Sequence, residues 1–402
     1  MSSRFATLGR IPRGVWILGG VSLLMDVSSE MIHSLLPLFM ATTLGVSVIV
    51  SVIVIGLIEG LAEATALIVK VFSGVLSDYL GKRKGLALLG YGLGAISKPF
   101  FAVASSSGMV MGARLLDRVG KGIRGAPRDA LVADVTPPEI RGAAFGLRQS
   151  LDTVGAFLGP LLAVGLMLLW HNDFRAIFWV AAIPAALAIA LLFFGLKEPA
   201  AAITDKRTHP ITRANLRLLG RGYWWVVGIG AVFTLARFSE AFLVLKAQQG
   251  GTPLALIPLV MVAMNLVYAC SAYPFGKLSD RMSHKGMLKA GLLVLIAADV
   301  VLALSDHWAG VLFGVALWGV HMGMTQGLLA AMVAHTAPAH LRGTAFGMFN
   351  LVSGVALLLA SLGAGMLWEL VGSASTFYAG AIVCVVTLIG MQLAPFDNRQ
   401  GV

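Results

Sequence analysis

Apolar residues run along this chain in long, almost uninterrupted stretches, broken at short intervals by clusters of charge, glycine and proline. Each stretch comes close to the roughly 20 residues that take a helix across a bilayer. The pattern predicts spans over 14–43, 47–73, 86–105, 108–131, 143–169 and 175–196, and again over 223–246, 254–275, 287–305, 309–332, 344–370 and 375–394. The stretches are continuously apolar rather than alternating, which argues for helices and against a strand-built barrel. The fourth is the exception. It holds Arg114, Asp117, Arg118, Lys121, Arg124, Arg128 and Asp129, together with Gly120, Gly122, Gly125 and Pro127. Parity, and an apolar counterpart at 309–332, place it across the membrane all the same.

Two motifs recur about half a chain apart. Gly74, Leu76, Ser77 and Asp78 return as Gly276, Leu278, Ser279 and Asp280, an offset of 202 residues; the six residues from Arg141 to Gly146 return at Arg342 to Gly347, an offset of 201. Two unrelated matches at one spacing mark an internal duplication. In a membrane chain, duplicated units build transporters with the site between the repeats. The expected organisation is a six-helix bundle over 1–196, a linker over 197–222 with Pro199, Pro210 and many charges, and a second six-helix bundle over 223–402.

Composition agrees. Hydrophobic residues make up 58% of the chain and charged residues 12%, with a mean hydropathy of +0.86, where soluble domains carry about 25% charge. The net charge of +11 is largely a topology signal and calls for no nucleic acid. Arg4, Arg10 and Arg13 precede the first span, and Lys82, Arg83 and Lys84 follow the second. Lys277, Arg281 and Lys285 follow the eighth, and the linker is basic, while the connections near 44–46, 106–107, 250–253 and 371–374 hold no Lys or Arg. Basic connections stay inside, so both termini and the linker are expected in the cytoplasm of an inner or plasma membrane. Trp170, Trp308 and Trp368 are expected at the opposite surface, and Trp16, Trp224 and Trp225 at the cytoplasmic one. Cys270 and Cys384 fall inside spans and offer neither a disulfide framework nor a metal-ligand spacing.

The loop Gly74, Leu76, Asp78, Gly81, Lys82, Arg83 and Lys84 resembles the motif between the second and third helices of the major facilitator superfamily, and the duplicated twelve-span plan resembles that family over the whole chain. The resemblance implies the major facilitator fold: twelve transmembrane helices in two pseudo-symmetric six-helix bundles, with the first, fourth, seventh and tenth helices lining a central cavity. It makes Gly74, Asp78, Gly81, Lys82, Arg83 and the second-half Asp280 a gating loop. Physically, Gly74 allows close helix approach and Gly81 a tight turn. Asp78 can pair with the basic run or sit at the positive end of a neighbouring helix. Gly155, Gly159 and Pro160 in the fifth span resemble the motif of exporter and antiporter branches, although Ala163 and Val164 stand where that motif ends in a glycine pair. Four-residue glycine spacing lets helices pack closely, and proline permits a bend. Arg114 stands where the family's fourth-helix arginine, implicated in proton movement, is expected.

Ionisable residues at membrane depth cost roughly 2.5–3.5 kcal/mol each on insertion scales and are functional candidates for that reason. Asp26, Glu30 and His33 fall on one helical face of the first span. With Glu59 and Glu63 in the second span and Asp152 in the fifth, they are the proton-coupling candidates. The fourth span sets Arg114, Asp117, Arg118 and Lys121 on one stripe, expected to face the carboxylates of the first, with Asp117 offsetting one positive charge. Either a structural ion-pair network or a site for a carboxylate or phosphate fits that stripe, since arginine matches those groups bidentately. Lys98 is a further positive candidate. Arg237 and Glu240 in the seventh span are spaced for an intrahelical pair, and the tenth span offers Trp318, His321 and Gln326. Titratable groups thus concentrate in the first half.

Gly120, Lys121 and Gly122 lack the surrounding phosphate-loop pattern, and no serine nucleophile elbow or zinc-protease motif is present. The expectation is therefore not an enzyme. It is a secondary transporter without cofactor, driven by the proton gradient, acting as a monomer in the bilayer on a small organic substrate, anionic or zwitterionic, and most consistent with export. Uptake by proton symport of a sugar, metabolite or metal chelate is the alternative. A lipid flippase or a non-transporting receptor stands behind it.

Overall fold

The computed structural model describes residues 11–44, 48–80, 83–137, 140–197, 217–279, 283–325, 328–338 and 341–393. Regular structure among them is helical throughout: α1 (Arg13–His33), α2 (Leu36–Thr42), α3 (Val48–Leu80), α4 (Arg83–Val103), α5 (Ser107–Asp134), α6 (Arg141–Leu169), α7 (Phe174–Gly195), α8 (Arg221–Leu235), α9 (Ala241–Gln249), α10 (Leu259–Ser279), α11 (His284–Leu304), α12 (Trp308–Thr325), α13 (Leu328–Thr336), α14 (Arg342–Leu370) and α15 (Ser373–Leu393). Helix occupies most of the described residues in every expected span. Ten stretches among the described residues are long and apolar enough to cross a membrane. The two expected spans outside that set are α5, which is too charged, and the interrupted pair α8 and α9.

Local chemistry sets several ends. The Ser106 side chain accepts the Met109 N–H at 3.3 Å and starts α5, and Asp173 does the same for Ala176 at 3.1 Å in α7. Ser283 accepts from Gly286 at 3.1 Å in α11. These acceptors satisfy N–H groups that a helix start leaves without partners.

Two spans differ from the pattern. The first is not one helix over 14–43: it turns at Ser34 and Leu35. Pro37 explains the turn, since it lacks an N–H and its ring collides with the carbonyl four residues back. The seventh is not one helix over 223–246 but stops at Leu235 and restarts at Ala241. There the Ser239 N–H turns aside to the Ser361 hydroxyl at 3.2 Å. Phe238 enters an aromatic cluster with Phe242, Trp318 and Phe377, ring centroids 5.5, 5.4 and 5.6 Å away. Burial of Phe238 and a local side-chain acceptor thus replace helical hydrogen bonds. Trp368, expected at the membrane surface, is 6% exposed and packs on Phe242 and Phe377 instead, because α14 presents it to this same cluster.

The chain divides into two compact units, one of Met1–Phe39 and Thr65–His209, the other of Met40–Ala64 and Pro210–Val402. In the first, Val15, Leu18, Val21 and Met25 of α1 recur at helical spacing and pack with Tyr91 of α4, Leu131 and Val132 of α5, Ala144 of α6 and Ala188 and Leu192 of α7. In the second, α3 begins against α14. A Cβ on Gly60 would lie 3.2 Å from the Leu358 Cα, and one on Gly365 3.0 Å from the Val52 carbonyl oxygen. These are the small-residue contacts by which membrane helices associate.

A close backbone approach also joins α4 and α5. A Cβ on Gly120 would stand 2.6 Å from the Gly90 carbonyl oxygen and 2.8 Å from the Gly94 nitrogen, whereas one on Gly112 would meet nothing within 4 Å. Gly120→Val should therefore force the two backbones apart, costing about 1–3 kcal/mol as overpacking does. Gly112→Val in the same helix should be tolerated. Thermal unfolding of the purified variants in detergent, followed by size-exclusion profile, checks the contrast; equal stability of the two would disprove the contact.

Candidate functional site

The first unit gathers most of the charge into one network. On α5, Arg114, Asp117, Arg118 and Arg124 are buried, while Lys121 on the same helix is exposed. Such a helix needs cover. Backbone contact between Gly120 and Gly90 brings in α4, and Gly122 brings in α3, where a Cβ would lie 2.7 Å from the Val69 Cβ and 2.9 Å from the Ala66 carbonyl oxygen. The Ser73 hydroxyl also donates to the Gly122 carbonyl at 2.8 Å.

Charges inside this cover are paired. Lys98 of α4 donates to Asp117 at 2.8 Å and to the Ser29 hydroxyl of α1 at 3.0 Å, and Arg118 Nε lies 3.5 Å from the other Asp117 oxygen. The principal partner of Asp117 is therefore Lys98 from the neighbouring helix, rather than only an arginine of its own stripe. The reason is geometric: Lys98 reaches one carboxylate oxygen at hydrogen-bond distance, 2.8 Å, whereas Arg118 Nε stands 3.5 Å from the other. Arg124 stacks over Tyr91, 4.8 Å from the ring centroid, a favourable arrangement for a guanidinium.

A second cluster joins α1, α5 and α6. Arg128 donates to the Ser22 hydroxyl at 3.0 Å and to Asp129 at 3.1 and 3.2 Å, and stands 3.9 Å from Asp152. Arg148 pairs with Asp152 one turn on and with Asp129 at 3.7 Å. Asp26 interacts electrostatically with Asp152, Arg124, Lys121 and Arg128, and Glu30 with His33, Lys121 and Arg118. Glu30 and the His33 ring are 3.4 Å apart. The carboxylates of the first span thus lie within electrostatic reach of the basic stripe of the fourth, the arrangement the family resemblance implies.

The fifth-span glycines seat those carboxylates. A Cβ on Gly155 would meet the Leu23 carbonyl oxygen at 2.7 Å and the Asp26 Cβ at 3.0 Å; one on Gly159 would meet the Glu30 Cβ at 2.7 Å and the Val27 carbonyl oxygen at 2.8 Å. Pro160 is accommodated within the continuous helix α6.

Other candidates lie elsewhere. Glu59, fully buried, and Glu63 belong to the second unit. So do Arg237, Glu240, Trp318 and His321. Arg237 lies over Phe233 at 5.8 Å and interacts with Glu240, Tyr268 and Cys384. It does not form an intrahelical pair with Glu240, because the chain between them is the non-helical break. His321 Nδ1 is 2.8 Å from the Gly291 carbonyl oxygen and its ring packs on Phe233 at 5.4 Å. Gln326 lies outside the described residues. Around the repeated loop, Gly74 meets the Ala126 Cβ at 3.4 Å from its own Cβ position, and Arg83 pairs with Asp134 at 2.7 Å. The Asp78 side chain, Gly81, Lys82 and Asp280 lie outside the described set. One buried carboxylate, Asp299 of α11, stands apart from every candidate the sequence singled out. The rule that marks Asp26, a charge inside an apolar span, marks it too.

Duplicated helical bundles with charge buried at membrane depth define a polytopic membrane protein of the transporter kind. The sequence model of the Major Facilitator Superfamily matches residues 18–361 and 229–399, and the chain belongs to that superfamily. It is 32% identical to an uncharacterized MFS-type transporter of Methanocaldococcus jannaschii over 94% of both chains. It is 25% identical to the multidrug resistance protein MdtL of Escherichia coli over 72% of this chain and 73% of that one. Its fold matches a bacterial homologue of the human lysosomal transporter Spinster with a TM-score of 0.78 at 15% identity, over 94% of this chain and 95% of that one.

Lys98→Ala would leave Asp117 buried without its principal cation, and removing one member of a buried pair costs about 3–5 kcal/mol. The double replacement Lys98→Met with Asp117→Leu should recover most of that loss. Unfolding midpoints of the single and double variants test it; a double variant no more stable than Lys98→Ala would contradict the pairing. Gly159→Ala should likewise press on Glu30 and Val27 and lower stability, where Gly165→Ala, whose Cβ would meet nothing within 4 Å, should not.

Proposed function

We propose that the chain is a proton-coupled secondary transporter that exports a small organic molecule, anionic or zwitterionic, by alternating access. On this reading it resides in an inner or plasma membrane with both termini and the linker in the cytoplasm. The observation that carries the proposal is Lys121: the exposed member of an otherwise buried basic stripe, within electrostatic reach of both Asp26 and Glu30. A carboxylate or phosphate group of a substrate would engage Lys121, with Arg118 behind it. Asp26 and Glu30 would compete for the same positive charge when ionised and release it when protonated. Proton entry and engagement of an anionic group are then linked through one cation with a positive sign, the symport relation, so the antiport reading rests on the glycine seat and the relatives.

Export is supported by the seat that Gly155 and Gly159 provide for the two carboxylates and by the similarity to a multidrug resistance protein. The departure at Ala163 and Val164 from the exporter pattern favours the second reading, uptake by symport.

Reconstitution in vesicles of known sidedness tests the scheme. Substrates would first be chosen by thermal stabilisation of the purified protein against anionic, zwitterionic and cationic compounds at about pH 6 and about pH 8, either side of the imidazole range. Asp26→Asn should abolish pH-driven transport while leaving that stabilisation measurable. Unchanged pH-driven transport in this variant would sink the coupling assignment. Stabilisation only by lipophilic cations such as tetraphenylphosphonium, lost in Asp26→Asn or Glu30→Gln, would make the basic stripe structural.

A further inference from the structure

Asp299 lies in the middle of the second unit, on α11, with no exposed surface and with no hydrogen-bond partner for either carboxylate oxygen among the described residues. A carboxylate so placed has neither water nor a hydrogen-bond donor among the described residues to hold a charge. The surroundings supply an acceptor for a protonated carboxyl. Gly380 of α15 faces Asp299 and also faces the break between α8 and α9. From the point a Cβ on Gly380 would occupy, the Asp299 Oδ2 is 2.7 Å away, the Ala236 carbonyl oxygen 3.3 Å and the Phe238 Cε1 3.3 Å. The Ala236 carbonyl ends the helix at the break, and no N–H or side chain among the described residues donates to it. A buried carbonyl in that state is itself destabilising. A carboxyl without a partner and a carbonyl without a donor thus adjoin the same glycine.

We propose that Asp299 is a second proton-binding site, in the second repeat, whose protonated carboxyl donates to the Ala236 carbonyl and so holds the interrupted seventh span in the broken form. Loss of the proton removes the donor and leaves a carboxylate that repels the carbonyl. The cation it would turn to is Arg237, the next residue in the break, which shares the neighbourhood of Cys384 with Asp299. Among the described residues the titratable group that interacts with Asp299 is Cys384 of α15, and Arg237 in the break interacts with that same cysteine. His321 of α12 meets α11 about two turns away, at the Gly291 carbonyl, and Glu240 and Tyr268 interact with Arg237. The ligand of this site is a proton alone. The volume beside Gly380 is filled by the carboxyl itself, and replacing that glycine with alanine would displace Oδ2.

Infrared difference spectroscopy of the full chain in lipid nanodiscs tests this without a transport assay, so its outcome is independent of the role given to Asp26. The protonated-carboxyl C=O stretch should contain a component that disappears in Asp299→Asn and persists in Asp26→Asn. Gly380→Ala should keep that component and shift its frequency, because it moves the oxygen without removing the group. Asn at position 299 retains a donor for Ala236 and should fold; should it not, the Gly380→Ala shift still decides. Absence of any protonated-carboxyl component that responds to either substitution, from about pH 5 to about pH 9, would overturn the proposal. A component lost in Asp299→Asn but unmoved by Gly380→Ala would overturn the contact with Ala236.

Discussion

At membrane depth no water is available to solvate a charge, and the whole first unit answers to that constraint. Helix α5 carries more basic side chains than an isolated membrane helix tolerates, so it must be wrapped by protein on nearly every side. The wrapping depends on backbone contact: Gly120 against Gly90, and Gly122 against Ala66. Side chains at those positions would hold the neighbours off by several ångströms and admit lipid to the guanidiniums. Glycine density and charge density along α5 are therefore two expressions of one requirement. The Lys98–Asp117 pair then supplies, from the neighbouring helix, part of the compensation that α5 lacks within itself.

The second unit solves a different problem. Its interior holds aromatic rings around Phe238, a helix interrupted at 236–240 and the carboxylate Asp299, which has no hydrogen-bond partner among the described residues. An aromatic core is held by tilted and edge-to-face ring contacts, each worth about 0.5–1.5 kcal/mol beyond area burial. A dense ion-pair network changes by exchanging partners. The first unit is thus built around paired charge and the second around packed rings and an interrupted helix.

Much of this was legible from residue order, and the exceptions have physical causes. Helix positions followed from apolar run length, because a bilayer imposes it. That Asp26 and Glu30 share one face followed from helical spacing, and their facing α5 from the family resemblance. Lys98 as the partner of Asp117 did not follow, because pairing between helices depends on rotation about axes that periodicity leaves undetermined. The interruption at 236–240 was illegible for another reason: no proline or glycine marks it. It is made by tertiary contacts of Phe238 and Ser239, which override local propensity. Trp368 failed by the same route, since a tryptophan near a span end suits the interface or a core equally well.

The glycine motif of α6 joins these threads. Gly155 faces Asp26 and Gly159 faces Glu30, a constant offset of 129 residues between parallel neighbours. Carried one turn further, that register sets position 163 opposite Ser34, where α1 ends and the backbone turns toward Pro37. A glycine is needed only where two helices run in contact. Where one of them stops, alanine fits, and Ala163 is fully buried there. The departure of Ala163 and Val164 from the exporter pattern thus coincides with the turn at 34–35 and leaves intact the two glycines that seat the carboxylates. What the motif does in this chain is bring a pair of acidic side chains close to the α6 backbone, and that task is complete by Gly159.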